Sequence, residues 1–81
     1  MARYSTTSKW DVHKIRTAAE KYFGAEGLGL EKSASDECCL SFSGAGGYVS
    51  IIVTESSPHT QVVLDVSEWD AHIPAFLRQI S

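Results

Sequence analysis

The sequence contains no run of apolar residues close to the roughly 20 that an α-helix needs to cross a bilayer. Its first ten residues, MARYSTTSKW, also lack the apolar segment of a secretory signal peptide. We therefore expect a soluble, cytoplasmic protein with no membrane contact. A chain of 81 residues supports one hydrophobic core, so we expect a single domain over residues 1–81.

Cysteine is scarce, and both copies are adjacent, at Cys38 and Cys39. Neighbouring side chains in a strand point to opposite faces, whereas a disulfide needs converging Cβ atoms. The expected state is two free thiols, with Cys38 in the core and Cys39 on the opposite face of the sheet. Free thiols are typical of a reducing compartment.

The sequence also lacks the spacings that hold metals or build active sites. It has no CxxC or HxxxH pair, and adjacent cysteines on opposite faces cannot bind one zinc ion. The best thiol and base pair, Cys39 and His59, lies several residues apart in the expected register and has no orienting group. SGAGGY joins two strands and no Lys follows it, so it is typical of a hairpin turn. We expect no metal, no cofactor and no enzymatic activity.

Basic residues are nearly absent after residue 32. Residues 1–32 carry six bases and four acids, a charge of +2, whereas residues 33–81 carry one base and six acids, a charge of −5. Nucleic-acid binding needs a concentrated positive surface, and here only the first helix is basic. We therefore expect nucleic acid to be an improbable partner.

The hydrophobic pattern predicts the order strand, helix, four strands, helix. Residues 2–7 form a short edge strand, and Ser8 with Asp11 forms a capping box that starts a helix over residues 9–23. One side of that helix is apolar: Val12, Ile15, Ala19, Tyr22 and Phe23. A second capping box, Ser67 with Asp70, starts the last helix. Pro74 predicts a kink near residues 71–73, or a short turn before the main helix.

Between the helices the pattern changes to period two, which predicts strands at LGLEK, CCLSFS, YVSIIVT and TQVVLDV. If the large apolar residues share one face, Phe42 lies opposite Val49 and Ile51 lies opposite Leu64. This register leaves residues 44–47 and 56–59 as four-residue loops, which are lengths that hairpins use.

Both helices have one apolar stripe, so both should pack on the same face of the sheet. That face carries Leu28, Leu30, Cys38, Leu40, Phe42, Val49, Ile51, Val53, Val62, Leu64 and Val66. The expected fold class is α+β, a two-layer sandwich with an antiparallel meander of four to five strands and two helices on one face. The element order resembles that of helix-grip and TATA-binding-protein-like half-domains, and this resemblance implies an arrangement but no function.

The same register leaves one face of the sheet without a helix. Cys39, Ile52 and Val63 form an apolar row across it, with Ser41, Ser50 and Tyr48 beside that row. Such a face is either simply solvated or a contact surface. Trp10 lies away from the apolar stripe of the first helix. It either folds back onto the first strand or a helix neighbour, or it is an exposed anchor for a partner.

Three functions fit these features. The leading hypothesis is a non-catalytic protein-interaction module that forms a homodimer through the open sheet face. The alternative is a small-molecule binding domain that uses the cleft between helices and sheet. The third is weak nucleic-acid binding through the basic first helix.

Overall fold

The computed structural model describes residues 2–36, 39–55 and 59–80. Within them the chain forms one five-stranded antiparallel sheet and two α-helices, which confirms the α+β class and the order β-α-β-β-β-β-α. The elements are β1 (Ala2–Ser8), α1 (Val12–Phe23), β2 (Glu31–Ser35), β3 (Cys39–Gly44), β4 (Gly47–Glu55), β5 (Thr60–Ser67), a 3₁₀ turn (Asp70–His72) and α2 (Ile73–Ile80).

The sheet has the strand order β1-β5-β4-β3-β2, so β1 and β2 are its two edges. The predicted register of the meander is confirmed, since Phe42 pairs with Val49 and Ile51 pairs with Leu64. The predicted edge strand is also present, and it pairs with β5 from Ala2 to Ser8. The expected inward position of Cys38 lies outside the described residues.

The core lies between the helices and one face of the sheet. Because side chains alternate along a strand, β4 and β5 place every second residue in this core. Phe23 of α1 packs against Phe42 of β3 and Phe76 of α2, with ring centroids 5.8 and 5.0 Å away. The fully buried large side chains are Phe23, Phe42, Phe76, Ile15, Leu40, Ile51, Leu64, Ile73, Ile80, Val49, Val62 and Val66.

The first helix begins at Val12, three residues later than predicted. Asp11 is its N-cap and accepts a hydrogen bond from the Lys14 amide at 2.7 Å, so the predicted capping box at Ser8 is wrong. Ser8 is the last residue of β1, and it is buried. Its hydroxyl donates to the Ile80 carbonyl and accepts from the Trp10 amide at 3.1 Å. It therefore joins the end of β1 to the last turn of α2.

The second strand is Glu31–Ser35, not LGLEK as predicted. The LGL segment instead closes the end of α1, because the amides of Leu28 and Leu30 donate to the carbonyls of Tyr22 and Phe23. Its apolar alternation comes from packing against the helix end, where Leu30 is buried and Leu28 is half-buried. The predicted SASDE loop thus contributes most of β2.

The turn between β3 and β4 is shorter than predicted. Gly44 pairs with Gly47, so the turn itself consists of Ala45 and Gly46. Both have positive φ angles, 50° and 81°, as the two central residues of a type I′ turn require. The other predicted loop, 56–59, lies largely outside the described residues.

The second helix begins at Ile73, after a 3₁₀ turn over Asp70–His72. Trp69 caps that turn without a side-chain hydrogen bond, so the predicted capping box of Ser67 and Asp70 is wrong. Of the two alternatives predicted from Pro74, a kink or a short turn before the main helix, this 3₁₀ turn confirms the second. Pro74 occupies the second position of α2, where an amide has no helical acceptor and its absence costs little. Neither described helix is long and apolar enough to cross a membrane.

Candidate functional site: the open face of the sheet

The open face is the side of the sheet opposite the helices, and strand pairing arranges its side chains in rows. The central row crosses four strands as Ser5, Val63, Ile52 and Cys39. The row on one side of it is Arg3, Asp65, Ser50, Ser41 and Ala34, and the next is Ser67, Tyr48, Ser43 and Glu31. The row on the other side contains Thr7, Gln61 and Thr54.

The structure thus brings six of the predicted site residues onto one surface: Cys39, Ile52, Val63, Ser41, Ser50 and Tyr48. Ile52 is the large apolar side chain that the described chain leaves exposed, at 36%. Val63 and Cys39 beside it are half-buried. The centre of the open face is therefore apolar and accessible.

The neighbouring row is dominated by hydroxyl groups. Ser41 and Ser50 lie opposite each other, and their Oγ atoms are 3.3 Å apart, within hydrogen-bond distance. Each hydroxyl both donates and accepts hydrogen bonds. These side chains can pair with water, with each other, or with similar groups on a partner.

The charges within these rows include an ion pair. Arg3 of β1 donates from Nε and Nη2 to the two carboxylate oxygens of Asp65 on β5, at 2.9 and 3.3 Å. These hydrogen bonds and the positive charge lower the pKa of Asp65, and the carboxylate in turn raises the pKa of Arg3. The sequence pattern did not reveal this pair because the register of β1 follows from tertiary pairing.

The expectation of two free thiols is wrong, because Cys39 is disulfide-bonded. The other cysteine of the chain, Cys38, lies outside the described residues. The prediction of free thiols assumed regular strand geometry at both cysteines, and the disulfide at Cys39 contradicts its conclusion.

Trp10 lies away from the open face. It is half-buried, packs against the edge of the core, and holds the Lys14 ammonium 4.4 Å from its ring centroid. It thus contacts a helix neighbour, one of the two predicted positions. A shallow cavity of about 430 Å³ borders it, with Thr17, Lys21 and Gln79 among the lining residues.

The helix side of the sheet carries an open cleft near β2, with a volume of about 520 Å³. Leu30 and Phe42 are among its lining residues, and both are buried. Lys32 and Glu20 also line it, and they form an ion pair with a nitrogen to oxygen distance of 3.3 Å. The interior between helices and sheet is filled by side chains, so this cleft lies at its margin.

Among residues 2–36, 39–55 and 59–80, no three His, Cys, Asp or Glu side chains are grouped so that they could hold a metal ion. No protein-family model, curated protein or solved structure matches the chain. The described part of the chain is a small two-layer α+β domain in which both helices lie on the same face of the sheet.

Proposed function

We propose that the chain is a non-catalytic interaction module that forms a homodimer through its open sheet face. The observation that supports this most is the position of Ile52. It lies on a central strand, at the middle of the apolar row, on the face opposite both helices. About a third of the Ile52 surface is left to bury, and removing it from water would stabilise the contact by about 0.5 to 1 kcal/mol on each copy.

A second copy is favoured as the partner because the open face is complementary to itself. Around a two-fold axis an apolar centre meets an apolar centre. The hydroxyls of Ser41, Ser50 and Tyr48 can each act as donor on one copy and acceptor on the other. Arg3 and Asp65 neutralise each other, so they add little like-charge repulsion between two copies.

The area of the open face indicates how strong the dimer contact can be. Five strands about 4.8 Å apart, each about 25 Å long, give a footprint of about 600 Å² per partner. Stable complexes bury about 800 Å² per partner, so this contact falls at the weak end. We therefore expect a dissociation constant between about 10 µM and 1 mM.

Sedimentation over a concentration series tests the proposal, with methyl NMR to locate the contact. Wild-type chain should approach twice its monomer mass as concentration rises. The methyl resonances of Ile52 and Val63 should shift in parallel, whereas those of Ile51 and Leu64, on the core face of the same strands, should not. Ile52→Lys should weaken association about tenfold or more, because it places a charge at the contact centre.

Two further variants serve as controls. Ile52→Thr keeps the β-branched shape and should weaken association less than Ile52→Lys does. Ala75→Lys adds the same charge at an exposed site on α2 and should change nothing. Ile52 methyl shifts that do not depend on concentration would refute the proposal. Although Cys39 lies on the open face, labelling it with a thiol reagent cannot test the contact, because Cys39 is disulfide-bonded.

The alternative function, small-molecule binding, is supported by the 520 Å³ cleft beside Leu30 and Phe42. Its volume falls within the range of ligand pockets, and it combines apolar surface with an ion pair. A bound metabolite should raise the melting temperature, and the rise should grow with the logarithm of its concentration above the dissociation constant. Phe42 is a core residue, so the matched test is Lys32→Ala, which removes one charge from the cleft and should abolish that rise.

A cytoplasmic location stays a prediction. The free thiols that supported it are replaced by a disulfide at Cys39, which is more typical of oxidising compartments.

A further inference from the structure

The two edges of the sheet differ in how well they are protected against pairing with another strand. The β2 edge has five residues, and its register is broken by a bulge between Lys32 and Ala34. It also carries Glu31 and Lys32 side by side. Short length, bulges and charges are the usual devices that keep an edge strand from pairing.

The β1 edge is longer than the β2 edge, has no bulge, and carries one charged residue. It pairs with β5 over seven residues without a break, from Ala2 to Ser8, and contains no Pro or Gly. Its composition, ARYSTTS, is rich in residues that favour strands. Its one charged side chain, Arg3, is bound to Asp65. The outer side of β1 therefore presents a regular row of backbone donors and acceptors.

We propose that β1 pairs antiparallel with β1 of a second copy, around a two-fold axis at Ser5, and so continues the sheet to ten strands. Ser5 is the middle residue of Ala2–Ser8, so this register pairs all seven residues of each strand. Residues directly opposite each other then point to the same face. The helices of both copies consequently lie on one side of the extended sheet.

The side chains fit this register. Tyr4 lies opposite Thr6 of the second copy, an aromatic and β-branched pair that stabilises antiparallel sheets. Arg3 lies opposite Thr7 of the second copy. The two Arg3 residues are about 14 Å apart along the strands, beyond the Debye length of about 8 Å at physiological salt. The charge of β1 thus does not oppose self-pairing.

This contact is independent of the dimer proposed above, because it uses the edge of the sheet and leaves the open face accessible. If both contacts form and their two-fold axes are perpendicular and intersect, the assembly closes as a tetramer. If only the edge contact forms, Ile52 stays exposed in a ten-stranded dimer.

Amide hydrogen exchange in the full-length Ile52→Lys chain tests the pairing of β1 with β1. The Ile52→Lys substitution is included because it weakens the dimer through the open face. Every second amide of β1 bonds to β5, and the others point outward. The outward amides should exchange about tenfold more slowly at millimolar than at micromolar concentration, because pairing protects them. The outer amides of β2 are the matched control and should not change.

A charge exchange at Ser5 then tests the register, in the same Ile52→Lys background. Ser5→Lys alone and Ser5→Asp alone each place like charges opposite each other at the axis, which should weaken the dimer about tenfold. An equimolar mixture places opposite charges there and should restore the wild-type dissociation constant within about threefold. Circular dichroism of each variant checks that the fold is intact.

Exchange of the outward β1 amides that is independent of concentration would overturn the proposal. A mixture that associates no better than either Ser5 variant would overturn it as well. These results are separable from those for the open face, since the Ile52 methyl shifts report only on that face.

Discussion

Trp69 donates a hydrogen bond from its indole Nε1 to the backbone carbonyl of Gly44, at 3.1 Å. The bond joins the segment before α2 to the end of β3, 25 residues away in sequence. It fixes the start of the C-terminal segment against the β3–β4 hairpin, on which the open face is partly built.

Trp69→Phe should lower the free energy of unfolding by about 1 to 2 kcal/mol. The phenyl ring keeps much of the apolar contact but leaves the Gly44 carbonyl without its indole donor. Urea denaturation of both proteins measures the difference. A change below about 0.3 kcal/mol would mean that water replaces the indole donor at no cost.

Ala45→Asn should stabilise the chain. Ala45 has a φ of 50°, a left-handed conformation that costs an L-residue with a Cβ roughly 1 kcal/mol. Asn tolerates this conformation, and Asn-Gly is the favoured pair in a type I′ turn. We expect a gain of about 0.5 to 1 kcal/mol, seen as a melting temperature about 2 to 6 °C higher. Ala45→Val should lower it, since β-branched residues oppose positive φ.

Ser8→Ala should destabilise the fold by about 1 to 3 kcal/mol. The variant removes the hydroxyl that bonds the Trp10 amide and the Ile80 carbonyl in a buried site. Thermal unfolding with Ser5→Ala as the control isolates this effect, because Ser5 is exposed on the same strand. Equal melting temperatures for the two variants would show that Ser8 does not join β1 to α2 in solution.

Asp65→Asn should change how stability depends on acid pH. Because Arg3 lowers the pKa of Asp65 in the folded chain, the pair stabilises the fold above the ordinary carboxyl value of 3.8. That contribution is lost as pH falls through the lowered folded pKa. The stability difference between wild type and variant should therefore be largest near neutral pH and shrink below pH 3.8. This stability difference should be small at every pH, because the Arg3 side chain is 70% exposed and solvent screens its interaction with Asp65.

The measurement is chemical denaturation at a series of pH values from neutral to about pH 2, which covers the range in which carboxyl groups titrate. Glu31→Gln is the control, because it removes an exposed carboxylate from β2, at the opposite edge of the sheet from Arg3. A wild-type minus variant difference that stays constant over this range would contradict the assigned role of the pair.

Much of the fold could be read from local pattern. The residues Leu40, Phe42, Val49, Ile51, Val62 and Leu64 occupy alternate positions, which assigns all of them to one face, and hairpin loop lengths select the register among those that keep this assignment. That register predicted the row of Cys39, Ile52 and Val63 correctly. The stripe on each helix likewise predicted which side of the sheet the helices cover.

The errors occur where a segment forms hydrogen bonds with a different element from the one that its local pattern indicates. LGL has the alternation of a strand, yet its amides complete the end of α1. Ser8 and Asp11 have the spacing of a capping box, yet the Ser8 hydroxyl bonds Ile80, 72 residues away. Local pattern cannot distinguish these uses, because the alternation of apolar residues and the spacing of polar ones do not show which hydrogen-bond acceptor the folded chain brings within reach.

The sequence by itself thus determined which residues of β3, β4 and β5 point to the core and which point to the open face, because alternation is a property of neighbouring residues. Only the tertiary structure decided that β1 closes the sheet beside β5, that Arg3 meets Asp65, and that β1 is the less protected edge. These relationships depend on which strands pair across more than fifty residues of chain, and the free energy of that pairing is set by packing over the whole core.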